Sequence, residues 1–101
     1  MPDNEIYYVY MVYCSDGTLY TGICKDLGNR VDMHNQGRGA KYTRSRRPVK
    51  LAYYEVVPGR VEASRRERQI KQLSRKEKLV LIGPDNDHSS MKKRVAVVKQ
   101  V

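Results

Sequence analysis

Two stretches near the start of the chain crowd β-branched and aromatic residues: Ile6 to Cys14 (IYYVYMVYC) and Leu19 to Cys24 (LYTGIC). Both read as strands. Ser15-Asp16-Gly17 lies between them and supplies the turn chemistry of a hairpin. Two registers compete. A two-residue Asp16-Gly17 turn would put Tyr10 and Tyr20 on opposite faces, whereas a three-residue loop with Gly17 left-handed pairs Tyr10 with Gly22 and Val12 with Tyr20. The second is preferred because it gathers Tyr8, Tyr10, Tyr20 and Gly22 on one face. Val9, Met11, Leu19 and Ile23 then form an apolar surface for a helix to cover, and a one-residue slip would exchange the two faces.

Further along, Asp26 is a good N-cap, Leu27, Arg30, Val31 and His34 follow at helical spacing, and Gly37 stops the helix. Arg30 and His34 stand one turn apart and can address the same target. Gly37, Gly39, Ser45 and Pro48 make the following stretch a loop. Leu51 to Val57 (LAYYEVV) reads as a third strand ended by Pro58-Gly59. Arg60 to Leu73 reads as a helix whose inward stripe is Ala63, Glu67, Ile70 and Leu73. Ser74-Arg75-Lys76-Glu77 is a capping box that opens a last helix reaching about Ile82. The expected fold is therefore α+β, a small, largely antiparallel three-stranded sheet flanked by helices in the order ββαβαα. Residues 1–84 form the domain and residues 85–101 a basic tail, in which Met91 to Val101 fits a strand, a basic arm or a disordered segment.

A chain of 101 residues supports one small core. Trp and Phe are absent, so eight tyrosines supply all aromatic packing. No apolar run approaches the roughly 20 residues of a membrane span, and Asp3 and Glu5 precede the first apolar stretch, the reverse of a secretory signal. Cys14 and Cys24 form no metal-spaced cluster, and two free thiols point to a reducing cytoplasmic compartment. The net charge of +9 favours a polyanionic partner, and it is unevenly placed. Through Asn35 there are two basic and five acidic residues, net −3, and from Gln36 onward eighteen and six, net +12. Arg38, Lys41, Arg44, Arg46, Arg47 and Lys50 fall in one loop without an acid, with Tyr42 among them. This composition suits contact with phosphates and a stacked base, although a merely solvated basic loop has the same composition.

Each candidate also has a plainer reading. The tyrosines suit strands on packing grounds alone. Arg30 fits a surface helix position, His34 a cation answering the helix dipole at its C-terminal end, and Gly22 a bulge. Glu67, an acid on an inward stripe, is costly to bury unless paired with one of its many arginine neighbours or bound to a cation.

Taken in order, Tyr8-Val9-Tyr10, Tyr20-Thr21-Gly22, Arg30, His34 and Glu67 resemble the GIY-YIG nuclease domain, most closely the small stand-alone bacterial GIY-YIG proteins. Supporting stretches are CSDGTLYTGI, GRGAKYTRSRRPVKLAYYE and ERQIKQLSRKEKLVLI, so the resemblance runs from about Tyr7 to Ile82. Tyr8 and Val9 replace the Gly and Ile of the first tripeptide, and Thr21 the Ile of the second. Cys24 falls where Thr is common in the subgroup.

The resemblance implies phosphodiester hydrolysis with one divalent cation, Mg²⁺ or Mn²⁺. Glu67 would be the metal ligand, Arg30 the phosphate clamp and Tyr20 the general base or water-orienting group. Tyr10 would sit hydrogen-bonded nearby, with His34 assisting. Such chemistry needs an activated water and stabilisation of the charge growing on phosphate, and one carboxylate suits a cation that keeps most of its waters. Nucleic acid is the expected partner, DNA ahead of RNA, bound through Arg38, Lys41, Tyr42, Arg44, Arg46, Arg47 and Lys71. No base-reading motif is present, so a structure-selective or nonspecific substrate is expected, as in DNA repair or recombination. The alternatives are a non-catalytic nucleic-acid-binding domain using loop 38–50 and a protein-binding module within a larger assembly.

Overall fold

The computed structural model describes residues 5–83. The elements are β1 (Ile6–Tyr13), β2 (Leu19–Cys24), α1 (Leu27–Asn35), α2 (Lys41–Arg44), β3 (Lys50–Pro58), α3 (Arg60–Lys71) and α4 (Arg75–Ile82). The strands form one antiparallel sheet in the order β2-β1-β3, the α+β arrangement expected from the sequence. The difference is α2, a single turn inside the basic loop, too short to leave a periodic signal. The reading of residues 85–101 lies outside the described residues. Among the described residues, no helix is long and apolar enough to cross a membrane.

The hairpin adopts the three-residue solution. Gly17 has φ 85°, and β1 pairs with β2 as Tyr10 with Gly22 and Val12 with Tyr20. The turn is a fastening point. Asp16 Oδ1 accepts from the backbone N–H and the hydroxyl of Thr18, at 3.1 and 2.6 Å. Asp16 Oδ2 accepts from Arg46 Nε at 3.0 Å, the backbone N–H of Ser15 donates to the Arg46 carbonyl at 2.9 Å, and Arg75 Nη1 donates to the Gly17 carbonyl at 2.9 Å.

Because β1 is central and covered on both faces, Val9, Tyr10, Met11 and Val12 are all fully buried. Val9 and Met11 join Tyr7, Ala52, Tyr53, Val57, Ala63, Ile70 and Ile82 in a core beneath α3 and α4. Tyr10 and Val12 join Cys14, Cys24 and Val49 in a second core on the opposite face, against which Tyr20, Leu27 and Val31 pack. Burial of each such aliphatic side chain contributes about 1.5–3 kcal/mol. The β1–β3 ladder carries a bulge, since Met11 pairs with Tyr53 and Val12 with Leu51.

Helix α3 is anchored by a polar clamp as well as by apolar packing. Glu55 on β3, its side chain only 5% exposed, receives Arg66 Nε and Nη2 at 2.7 Å each and the Tyr53 hydroxyl at 2.6 Å. Paired and fully hydrogen-bonded, this carboxylate meets the condition for burying a charge. The inward stripe of α3 is thus Ala63, Arg66 and Ile70, with Glu67 at its margin, 23% exposed and paired with Lys71 at 3.2 Å. The capping box of α4 forms as expected, with Ser74 and Glu77 capping each other's backbone N–H groups.

Candidate functional site

The site grows from a close approach on the hairpin. A Cβ on Gly22 would lie 2.7 Å from the Tyr10 hydroxyl oxygen and 2.9 Å from Cζ, so only glycine lets the Tyr10 ring lie across β2. Gly22 is therefore no bulge but an ordinary ladder position opposite Tyr10. The Tyr10 hydroxyl is held 2.8 Å from His34 Nε2. His34 is 1% exposed, and its Nδ1 lies 2.8 Å from Thr43 Oγ1 on α2. A second glycine makes room here too: a Cβ on Gly39 would come within 2.2 Å of Nδ1. A buried polar chain, Tyr10–His34–Thr43, thus links the sheet, α1 and the basic loop.

Burial, reinforced by the Arg30 charge, lowers the His34 pKa below the ordinary histidine value. The imidazole is a neutral, buried hydrogen-bonding group, not the exposed cation suggested by its place near the end of α1. Burial also pushes the Tyr10 phenol well above its ordinary range, helped by neighbouring Tyr20, while Arg30 pulls the other way. Tyr10 consequently keeps its proton near neutrality and can orient a partner, but is no proton acceptor there.

Tyr20 lies at the mouth of this chain, half-buried, its ring edge-on to His34 at 5.5 Å. Tyr42 stacks on it at 5.8 Å and 19°, and the Arg46 guanidinium sits 3.9 Å from the centre of the Tyr42 ring. The tyrosine expected to stack on a base is thus already stacked on Tyr20. Two of the loop arginines are similarly engaged. Arg46 pairs with Asp16 and donates to the Tyr42 carbonyl at 2.8 Å, while Arg47 donates to the carbonyls of Arg44 at 2.8 Å and Asn35 at 3.4 Å. Among the described residues, Arg38, Lys41 and Arg44 are exposed and their side chains make no such internal bond. Sequence composition weighs six loop cations equally, but the structure divides them: Arg46 and Arg47 shape the loop, Arg38, Lys41 and Arg44 are presented by it, and Lys50, also exposed, opens β3.

Arg30 stands beside Tyr10, its Nη1 3.5 Å from the Ile23 carbonyl and its buried Nε without a partner. It also lines a cleft of about 480 Å³ with Ile23, Cys24, Lys25, Asn29 and Arg60. Tyr10, Tyr20, Arg30 and His34 are therefore brought together. Glu67 lies in the other layer, on α3, which packs across β1 and β2, and its partner is Lys71. Among the described residues no three His, Cys, Asp or Glu side chains cluster as a metal cage. A lone, partly exposed carboxylate with an exposed lysine partner fits a hard cation that retains its water shell, and does not fit a closed structural zinc site. Cys14 and Cys24 are free and buried, with thiol pKa values raised by burial. Thr43 and Gly39 are the site residues that sequence reasoning missed. Only the glycine left a trace there, and as a loop residue.

A UPF0213 protein of Staphylococcus aureus is 54% identical over 78 residues, covering 77% of this chain and 95% of that protein. The solution structure of a UPF0213 protein from Bacillus halodurans has a TM-score of 0.55 and 35% identity, covering 92% of this chain and 99% of that one. A protein of E. faecalis solved in solution has a TM-score of 0.54 and 29% identity, covering 99% of this chain and all of the other. The sequence profile of the GIY-YIG catalytic domain matches residues 6–79, which include both tyrosine tripeptides, Arg30, His34 and Glu67. The chain belongs to the GIY-YIG catalytic domain family, a nuclease family.

Proposed function

We propose that this protein is an endonuclease that hydrolyses phosphodiester bonds of nucleic acid, DNA ahead of RNA, using one Mg²⁺ or Mn²⁺ ion. The observation that carries this reading is the Tyr10–His34 hydrogen bond with Tyr20 edge-on at its mouth and Arg30 alongside. A proton-handling group and a fixed positive charge stand together beneath exposed cations, as hydrolysis of a phosphodiester requires.

In this reading Tyr20, which alone of the two tyrosines reaches the surface, orients the attacking water or, once its own proton has passed to solvent, takes the water's proton as a phenolate. Tyr10, kept protonated by burial, holds a fixed hydrogen bond beside it. Arg30 binds a non-bridging phosphate oxygen and stabilises the charge that grows there. Glu67 would hold the cation after giving up Lys71, an exchange eased by the exposure of the lysine. Positive charge against the leaving oxygen is what a bound divalent ion contributes. Arg38, Lys41 and Arg44 bind flanking phosphates, Arg46 and Arg47 hold the loop that presents them, and Lys71, once released by Glu67, adds a phosphate contact from α3. With no base-reading element, substrate choice rests on nucleic-acid shape.

The test is a panel of branched, nicked, single-stranded and duplex substrates with Mg²⁺ or Mn²⁺, applied to the wild type and to Glu67→Gln, Arg30→Ala and Tyr20→Phe. Each variant should lose at least about 10²-fold in single-turnover cleavage. Glu67→Gln and Tyr20→Phe should still bind substrate, and Arg30→Ala should also bind more weakly. A folded Glu67→Gln protein with full activity refutes the mechanism. The second reading, a non-catalytic binding domain, draws on the exposed Arg38, Lys41 and Arg44. It predicts salt-sensitive binding to the same panel with no cleavage under either ion.

A further inference from the structure

The Ala40 carbonyl already accepts two backbone N–H bonds of the α2 turn, from Thr43 and Arg44, each at 3.2 Å. A carbonyl has two lone-pair directions, so the Thr43 hydroxyl, 3.0 Å from the same oxygen, is a third and surplus donor there. His34 Nδ1 lies closer to that hydroxyl, at 2.8 Å, and the Ala40 N–H also points at Nδ1 from 3.4 Å. The Ala40 N–H can only donate, so it marks Nδ1 as an acceptor, and the hydroxyl, the nearer group at 2.8 Å, is the main donor to that nitrogen's one lone pair while the N–H at 3.4 Å shares it weakly. The proton of a neutral His34 then sits on Nε2 and is donated to the Tyr10 oxygen 2.8 Å away. With that bond accepted, the Tyr10 hydroxyl proton is released from His34 and available to Tyr20 or to a phosphate oxygen.

We propose that Thr43 is a positioning residue, which by donating to His34 Nδ1 fixes the Nε2–H tautomer and thereby makes Tyr10 a hydrogen-bond donor toward the substrate side of the site. Tautomer control of this kind is how a buried third group serves a histidine in other hydrolases. The location of Thr43 adds a consequence. It lies on α2 between Lys41 and Arg44, two exposed cations of the loop, so phosphate contact with the loop and proton order in the site share one rigid turn. The inference rests on the nuclease reading for its effect on rate, but not for its effect on the histidine.

The experiment is a long-range ¹H–¹⁵N spectrum of His34 in the full chain near pH 7.5, for the wild type, Thr43→Ser and Thr43→Val, beside single-turnover cleavage at saturating substrate. The wild type should show a protonated Nε2 and an unprotonated Nδ1. Thr43→Ser should preserve that pattern and cleave within about twofold of the wild type. Thr43→Val, nearly the same shape without the hydroxyl, should mix the two tautomers. Its cleavage rate should fall about 10- to 100-fold, the scale for losing a partner that orients a functional histidine, with substrate affinity unchanged. A wild-type His34 protonated on Nδ1 overturns the proposal without any variant, so a Thr43→Val chain that fails to fold leaves it falsifiable. An unchanged tautomer in a folded Thr43→Val also overturns it. If the wild type cleaves nothing on the panel, the nuclease reading fails, and the tautomer measurement alone judges Thr43.

Discussion

Replacing Gly22 by alanine places a methyl group against the Tyr10 ring, and the cost follows from the geometry. The new Cβ would stand 2.7 Å from the hydroxyl oxygen, whereas ordinary contact begins at 3.4 Å, so the ring must retreat by about 0.7 Å. Val12, Cys14 and Val49 share the same core, which leaves no slack behind Tyr10. Overpacking of this order costs about 1–3 kcal/mol. Loss of the 2.8 Å bond to His34 adds about 1 kcal/mol, and the lower unfolded-state entropy of alanine returns about 0.4–1 kcal/mol. The expected net loss is about 1–3.5 kcal/mol. At about 4–8 °C per kcal/mol for a domain of this size, the melting temperature should fall by about 4–28 °C. Urea unfolding followed by circular dichroism measures it, and combining the change with Tyr10→Phe identifies the cause. Tyr10→Phe removes the atom at 2.7 Å and leaves the carbon at 2.9 Å, so the second alanine penalty should be smaller, with a coupling of at least about 0.5 kcal/mol. A Gly22→Ala protein within about 0.5 kcal/mol of the wild type, or strict additivity in the double variant, refutes the claim that Gly22 exists to seat Tyr10.

Other outcomes follow from the same contacts. Glu55→Gln leaves Arg66 without its buried counter-ion and should cost toward the lower end of about 3–5 kcal/mol, since Arg66 is partly exposed; replacing both residues by leucine should recover most of it, as equilibrium unfolding will show. Replacing Arg38, Lys41 and Arg44 together should reduce the salt dependence of DNA binding by up to about three units of slope at unchanged melting temperature, whereas Arg46→Ala and Arg47→Ala should lower the melting temperature. Because the folded pKa of His34 is depressed, the unfolded chain takes up a proton first as pH falls below 6.5. Stability is therefore full above that value and declines toward the lower folded pKa, by up to about 1.4 kcal/mol per pH unit, and His34→Gln should flatten that decline in melts between pH 7 and 5.

The hairpin register was legible because two constraints agreed: a glycine placed for a left-handed turn, and one choice of pairing that gathered Tyr8, Tyr10 and Tyr20 on one face and Val9, Met11 and Ile23 on the other. The capping box of α4 was equally readable, since it is a local exchange between Ser74 and Glu77. Three features were not. Glu67 looked like the inward acid, but on that face the acid fully buried is Glu55, and what occupies the helix stripe is its partner Arg66. A pairing between a strand and a helix eleven residues apart leaves no periodic mark. The Thr43 contact with His34 was likewise hidden, because it depends on a loop folding back over a glycine. Composition identified the loop as basic, but which cations are turned inward is decided by carbonyls and Asp16, which composition does not see.

The four consecutive buried residues of β1 also bear on how this family should be read across species. Val9, Tyr10, Met11 and Val12 belong alternately to two cores, so no position in this run is free to drift, whether or not the protein catalyses anything. Invariance along β1 in aligned relatives would therefore report packing before chemistry. The informative comparison is narrower: phenylalanine fills nearly the same volume as Tyr10 and loses only the oxygen that meets His34. Lineages that exchange Tyr10 for phenylalanine while keeping Gly22 would have retained the fold and abandoned the site, and that one atom separates the two kinds of selection.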